Sequence, residues 1–233
     1  PGYDNELIWS GAGCSGSGDC TVTLDDYKVV TATLQRRQAN LVLGQPTFTE
    51  GRACASQIAF DAPHGVTVDP TTGKVFVADT NNHRVLRYAS STALLNGAAA
   101  EGVLGQADFV SGMYNRNNST TAAANTFYRP VNVFVDSAGR LWVVDYENHR
   151  ILWFNNAAEK ANGADADGVL GQADFISHSA NRGGAVAANT LYAPYSVWVD
   201  DGGDLWVADH ANHRVLRWDD AATLYNGEAA DGV

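Results

Sequence analysis

Three histidines occupy equivalent places in a repeated run of Asp, Asn, His and Arg residues. Histidine titrates near neutral pH and is the commonest metal ligand, so this run has the residue types of a metal or proton-transfer site. In each run the Asn stands three residues after the Asp, and the His and Arg follow the Asn directly. The copies are spaced by 66 residues (79 to 145) and 64 residues (145 to 209), and they comprise Asp79, Asn82, His83 and Arg84; Asp145, Asn148, His149 and Arg150; and Asp209, Asn212, His213 and Arg214.

Other landmarks keep the same interval and outline four short strands in each copy. A proline begins an alternating run of apolar and polar residues that ends in an Asp, and a glycine marks the turn that follows. In the first copy the pattern predicts strands over 64–69, 74–79 and 83–88 and a fourth strand around 103–106. Four antiparallel strands in a unit of this size are typical of a β-propeller blade. We therefore predict an all-β chain, a β-propeller segment of four-stranded blades with a small N-terminal β appendage.

The propeller architecture changes the interpretation of the histidines. A propeller spreads equivalent positions around its ring, so His83, His149 and His213 are not expected to converge on one ion. We expect each Asp of the motif to accept hydrogen bonds from its own Asn-His-Arg turn, because removal of a buried acceptor would strand its donors. Residues present in every copy are expected to build the blade, and residues present in one copy are free to serve function.

The three copies resemble the NHL-repeat family of propellers. The resemblance rests on the Asp-x-x-Asn-His-Arg-Val-Leu-Arg run from Asp79, the Pro-x-x-Val-x-Val-Asp strand from Pro63 and the Leu-Trp-Val-x-Asp strand from Leu141. It covers about residues 40–233 and implies three elongated blades at approximately 40–106, 107–172 and 173–233. A propeller hosts many unrelated activities, so the resemblance implies a fold and leaves the function to be argued from the site.

Three blades are fewer than the roughly four to eight of a closed propeller. Open end blades expose apolar faces and unpaired strand edges. Residues 40–45 repeat the fourth-strand pattern, so we expect them to complete a terminal blade, and the family norm implies six blades in a longer parent chain. The alternative is self-association of two copies through their open blade edges.

Residues 1–36 resemble the second half of the internalin-associated β-repeat, which is common in secreted bacterial proteins with several domains. The resemblance rests on Trp9-Ser10-Gly11, on the run from Cys14 to Leu24 and on residues 30–34. Cys14 and Cys20 flank a polar turn that a disulfide can close in an oxidising compartment, and half of a zinc site is the alternative. Cys54 is expected to be either a free buried thiol or the partner of a cysteine elsewhere. We expect a fragment of a larger bacterial protein, secreted or displayed at the cell surface.

The loops between blades and the starts of the first strands carry the candidate binding residues. Long polar loops with an occasional aromatic residue on a rigid scaffold suit ligand contact. An Asn-Arg pair occurs in both loops, 107–129 and 173–193, and is expected to be architectural. The loop candidates occur in one copy each: Met113, Tyr114, Asn117 and His178. His64 and Tyr195 follow blade prolines and differ between copies, so we expect them to line the axial opening.

Motifs for metal binding and catalysis are weak in this chain. Asp165 and Asp167 stand in a run similar to a fragment of a calcium loop, but a calcium site needs about six to eight oxygen ligands and only one of these acidic positions persists in all copies. We therefore expect a turn there, with no cofactor and no metal. The sequence has no Gly-x-Ser-x-Gly elbow, no His-Glu-x-x-His motif and no phosphate-binding glycine loop.

Charge and hydropathy restrict the partners. The formal net charge of −11 disfavours nucleic acid, because an acidic chain repels phosphates. No stretch reaches the roughly 18 to 20 apolar residues of a membrane helix. We expect an extracellular binding or scaffolding module that contacts protein or glycan through its propeller loops, and not an enzyme. The alternatives are a metal-dependent lyase or lactone hydrolase, since some NHL-type propellers hold a metal with axial histidines, and a structural subunit of a surface fibre.

Overall fold

A computed structural model describes the backbone of residues 5–11, 14–17 and 31–36 and all atoms of residues 39–117 and 120–232. The chain divides into two compact units, Pro1–Leu41 and Val42–Val233. The first unit holds an antiparallel sheet of order β2-β1-β3, with strands β1 (Asn5–Gly11), β2 (Cys14–Ser17) and β3 (Thr31–Arg36). Cys14 begins β2, but Cys20, and with it the predicted disulfide, lies outside the described residues.

The second unit contains three antiparallel sheets, each made of consecutive strands. Blade 1 comprises β4 (Pro63–Val68), β5 (Lys74–Asp79), β6 (Arg84–Ser90) and β7 (Gly102–Leu104). Blade 2 comprises β8 (Pro130–Val135), β9 (Leu141–Asp145), β10 (Arg150–Phe154) and β11 (Gly168–Leu170). Blade 3 comprises β12 (Ser196–Val199), β13 (Leu205–Asp209) and β14 (Arg214–Trp218), and a bridge from Arg217 to Gly232 stands where a fourth strand begins. The predicted all-β fold of four-stranded blades is confirmed.

Each second strand ends in a short 3-10 turn that reverses the chain: Thr80–Asn82, Tyr146–Asn148 and His210–Asn212. The histidine after each turn takes a left-handed φ, 52° at His83, so the third strand of blade 1 begins at Arg84 and not at 83 as predicted. The fourth strand ends at Leu104 because Gly105 has a φ of +84°, which disrupts the extended backbone. A further 3-10 turn, Ala157–Glu159, lies between strands, as does a turn at Ala180–Gly183 in which Asn181 and Arg182 are left-handed.

Alternation along the strands places two apolar faces on every blade. In β5, Phe76 and Ala78 face blade 2, whereas Val75 and Val77 lie in a separate core on the other side of the sheet. Phe76 packs in one fully buried cluster with Val143 of blade 2. The corresponding cluster between blades 2 and 3 is filled by larger rings, including Trp142 and Trp218. Burial of these faces is the main contribution to the stability of the blade stack.

An asparagine in the connection between third and fourth strands links each blade to the chain before it. In blade 2, Asn162 Oδ1 accepts a hydrogen bond from the N–H of Val103 at 3.1 Å, and the N–H of Gly163 donates to the Val103 carbonyl at 2.8 Å. Asn96 makes the same contact with Val42 at 3.0 Å. Residues 40–45, predicted as a fourth strand, form no strand, yet Val42 takes the bonds of a fourth-strand residue against blade 1.

Candidate functional site

The repeated motif forms a buried polar network at the end of each second strand. In blade 2, Asp145 Oδ2 accepts hydrogen bonds from Asn148 Nδ2 at 2.8 Å and from Arg150 Nε at 2.7 Å, and Asp145 Oδ1 accepts one from the N–H of Tyr128 at 2.7 Å. The side chains of Asp145 and Arg150 are fully buried. Burial raises the pKa of Asp145, and the charge of Arg150 opposes that shift.

Blades 1 and 3 repeat this geometry. The Asp–Arg distances are 2.7 Å for Asp79 and Arg84 and 2.8 Å for Asp209 and Arg214. Each guanidinium also donates to main-chain carbonyls of the loop that precedes its blade, as Arg150 does to Ala123 at 3.0 Å. The motif residues therefore tie each loop to its blade, and the carboxylates of the three motifs are engaged within their own blades.

The motif histidines of blades 1 and 2 join neighbouring blades. His83 Nδ1 accepts a hydrogen bond from the N–H of Arg129 at 3.0 Å, and His149 Nδ1 accepts one from the N–H of Ala193 at 3.1 Å. The donors are the residues before Pro130, which begins β8, and before Pro194, which precedes β12, and both donors have a positive φ. Burial lowers the pKa of His83 to about 4, with a smaller effect from Arg129. Burial also lowers the pKa of His149. Both imidazoles are therefore neutral acceptors at pH 7.

The prolines, the 3-10 turns and the interblade loops lie at the same end of the second unit, here called the loop face. A ring cluster lies on it: Tyr195 meets Tyr146 edge-on, with ring centroids 6.1 Å apart, and lies 5.7 Å from His210. The Tyr195 side chain is 47% exposed. At the same position after the blade 1 proline, His64 is exposed and its Nδ1 lies 2.8 Å from the hydroxyl of Thr80.

The loop candidates are distributed and do not converge. Met113 and Asn117 line a cavity of about 360 Å³ within the loop 107–129, with Gln106 at its base. Tyr114 instead stacks on Tyr128 with ring centroids 4.5 Å apart, which supports the loop beside His83. His178 is half-buried on the next loop and its Nδ1 donates to the carbonyl of Ile176 at 3.2 Å.

A second cavity, of about 600 Å³, lies at the opposite ends of the first strands, where Thr67, Phe134 and Trp198 occupy equivalent positions. Two of its three carboxylates are engaged in turns. Asp136 accepts from Trp142 Nε1 at 3.0 Å, and Asp200 accepts from Trp206 Nε1 at 2.8 Å. These hydrogen bonds hold the pKa of Asp200 below its usual value.

The two calcium candidates, Asp165 and Asp167, interact with different partners. Asp167 forms an ion pair with Lys160 at 2.8 Å and accepts a hydrogen bond from the N–H of Asn155 at 2.7 Å. Asp165 lies near enough to Arg116 for their charges to interact. Across residues 39–117 and 120–232, the structure holds no group of three or more His, Cys, Asp or Glu side chains arranged to bind a metal ion. Cys54 is an exposed free thiol.

Sequence reasoning missed several loop-face residues. Tyr146, His210, Asp61 and Asn81 stand beside the motif and the prolines and are not among the predicted site residues. Comparison of the copies was the available signal, because the residue after the motif Asp is Thr80 in blade 1, a tyrosine in blade 2 and a histidine in blade 3. Within the described residues, no helix is both long enough and apolar enough to span a bilayer.

Comparison with known protein families identifies the repeated unit. Residues 60–88, 127–154 and 191–218 each match the NHL repeat, whereas the predicted internalin-associated repeat is not found. Similar solved structures include a luciferin-regenerating enzyme (13% identity, TM-score 0.38, 65% of this chain and 38% of that chain) and a streptogramin B lyase (13% identity, TM-score 0.37, 69% of this chain and 41% of that chain). This chain thus spans about two fifths of the length of either structure. No curated protein matches it.

Proposed function

Because the chain carries three NHL repeats that build successive propeller blades, we propose that it is a binding module. In this proposal the loop face contacts a protein or glycan partner, and the module serves a larger extracellular protein. The observation that carries the proposal is the ring cluster of Tyr146, Tyr195 and His210, in which Tyr195 and His210 are exposed and Tyr146 is half-buried. These residues vary between blades, so the framework does not require them.

The geometry of the cluster supports this role. Tyr195 keeps 47% of its surface exposed although it is held between two other rings. A rigid aromatic side chain presents a large contact area at a small cost in conformational entropy, which is why tyrosine is enriched at binding hot spots. The blade proline before Tyr195 and the 3-10 turn under His210 fix the backbone of both residues.

The test is a screen of the immobilised chain against a glycan array and a peptide array, followed by titration of the best ligand. Tyr195→Ala is expected to weaken binding at least tenfold, which corresponds to a loss of about 1.4 kcal/mol in binding free energy. Tyr225→Ala is the matched control, because Tyr225 is 66% exposed but lies in the connection that follows β14. Equal affinity of the wild type and Tyr195→Ala for every ligand, or the absence of any ligand on both arrays, would refute the proposal.

A further inference from the structure

Equivalent positions on the loop face hold polar residues in blade 1 and mostly rings in blades 2 and 3. Two residues before the proline stand Asp61, Tyr128 and Tyr192; directly after the proline stand His64, Val131 and Tyr195; and after the motif Asp stand Thr80, Tyr146 and His210. Next to Thr80, the Asn81 amide donates to Asp61 Oδ1 at 3.0 Å. The loop face is therefore divided into a hydrogen-bonding side and an aromatic side.

The hydrogen bonds of Thr80 fix the tautomer of His64. Thr80 Oγ1 donates its one proton to the carbonyl of Pro130 at 2.6 Å, because a carbonyl can only accept. The contact of 2.8 Å between Thr80 Oγ1 and His64 Nδ1 must then use a proton on the imidazole. Thr80 is fully buried, which protects its bond to the Pro130 carbonyl from competing water. In the neutral ring a proton on Nδ1 leaves Nε2 as an acceptor.

The other interblade histidines have the opposite tautomer. His83 and His149 accept main-chain N–H groups at Nδ1, so the neutral ring of each carries its proton on Nε2. His64 is thus the one of these three that can offer an acceptor at Nε2 from an exposed position on the loop face. The His64–Thr80 pair occurs in blade 1 alone, so the repeat architecture does not explain it.

We propose, as a refinement that rests on the proposed function, that the loop face binds a neutral carbohydrate. A sugar hydroxyl donates to His64 Nε2, further hydroxyls meet Asp61 and Asn81, and the C–H face of a sugar ring packs on Tyr195. A sugar ring combines these two properties, since its edges carry hydroxyl groups and its faces carry C–H groups that suit the negative face of an aromatic ring.

First-strand contacts bring the two sides of the loop face within reach of one ligand. β4 and β8 are neighbours, because the N–H of Val135 donates to Thr67 Oγ1 at 3.3 Å. β8 and β12 are neighbours, because the N–H of Val197 donates to Asn132 Oδ1 at 3.2 Å. His64 and Tyr195 therefore flank a single intervening first strand.

The charges of the loop-face residues favour neutral ligands over anionic ones. The acceptor lone pair of His64 and the carboxylate of Asp61 both disfavour phosphate and carboxylate groups. The cation of the neighbouring turn, Arg129, already lies 3.7 Å from Glu147. An acidic sugar is therefore expected to bind more weakly than a neutral one of the same length.

The first test is the ¹⁵N spectrum of the imidazoles at pH 7.5, assigned with His64→Gln, His83→Gln and His178→Gln. The expected result is a proton on Nδ1 of His64 and a proton on Nε2 of His83 in the same spectrum. His178 also donates from Nδ1, so its variant separates the signal of His178 from that of His64. A proton on Nε2 of neutral His64 would overturn the proposal.

The second test titrates cellotriose, maltotriose and chitotriose, with trigalacturonate as the acidic counterpart. At least one neutral trisaccharide is expected to bind and to shift the Nε2 signal of His64, and His64→Phe is expected to weaken it about tenfold. Tyr225→Ala should leave the affinity unchanged. If all three neutral sugars fail, or if trigalacturonate binds more tightly, the carbohydrate class is wrong. If the affinity for a peptide ligand then falls in Tyr195→Ala, the proposed binding function of the loop face still stands. If no ligand loses affinity in Tyr195→Ala, both the binding function and the carbohydrate proposal are refuted.

Discussion

Replacement of Asp145 by asparagine tests whether the motif network holds a blade together through its charge. The two carboxylate oxygens accept three hydrogen bonds, from Tyr128, Asn148 and Arg150, at 2.7 to 2.8 Å. An amide of the same shape has one acceptor oxygen, so either orientation turns an N–H group toward one of these donors. The guanidinium of Arg150, fully buried, would also lose its counter-charge.

The magnitude follows from that burial. Removal of one partner of a buried ion pair costs about 3 to 5 kcal/mol, because the remaining charge stays desolvated. Main-chain carbonyls of Ala123, Thr126 and Phe175 still accept from Arg150, which argues for the lower end of that range. The total free energy of unfolding of a domain is about 5 to 15 kcal/mol, so the loss expected for Asp145→Asn is a large fraction of it.

The assay is urea unfolding followed by tryptophan fluorescence, with the free energy of unfolding compared between Asp145→Asn and wild type. Trp142 and Trp153 report on blade 2, since they belong to β9 and β10 and their rings lie 5.6 Å apart in the cluster between blades 2 and 3. Asp201→Asn is the matched control, an exposed carboxylate for which a change within about 0.5 kcal/mol is expected. A loss below about 1 kcal/mol for Asp145→Asn would refute the reasoning, because the network would then not depend on its charge.

Three further changes probe the contacts between blades and within the interblade connections. The pKa of His83 is about 4 in the folded chain against an ordinary 6.5, so the unfolded chain takes up the proton first as the pH falls. The stability that depends on neutral His83 is therefore complete above about pH 6.5 and is lost toward pH 4. His83→Gln should reduce the fall in the urea midpoint between pH 7.5 and 5. Gly65→Ala would place a Cβ 2.8 Å from the Asn132 Cα and should cost about 1 to 3 kcal/mol, whereas Gly51→Ala, with open space around it, should be neutral by the same assay. Asn162→Ala should cost about 1 kcal/mol, because a fourth-strand N–H loses its acceptor; an unchanged thermal midpoint would contradict this.

The fold was predictable from the sequence because the same pattern of residues occurs three times, once in each blade. Positions such as Asp145 and Pro130 recur at a fixed interval, and the alternation between them gives both strand number and strand order. Strand ends were less accurate, since the left-handed conformations of His83 and Gly105 depend on the turn and are not evident in the residue types. An isolated pattern at 40–45 was also insufficient, because a strand needs a paired neighbour along its edge.

The site was less predictable for a physical reason. His64 and Tyr195 could be identified because both follow a proline and differ between copies. Tyr146 and His210 were missed because they stand inside the motif turn, where the surrounding Asp and Asn residues are framework. Whether Met113 and Tyr195 lie on one surface depends on how the blades stack. Sequence periodicity gives no information on the distance between these two residues.

The network also explains how the loop face can vary while the blades stay alike. Arg150 holds the preceding loop through the carbonyls of Ala123 and Thr126, and Asp145 holds it through the N–H of Tyr128. All three contacts are to main-chain atoms, so they constrain the path of the loop without constraining its side chains. The residues beside each proline are therefore presented on a fixed backbone and are free to differ. A face built this way can place polar groups on one blade and rings on the next without loss of the framework, which is the arrangement around His64 and Tyr195.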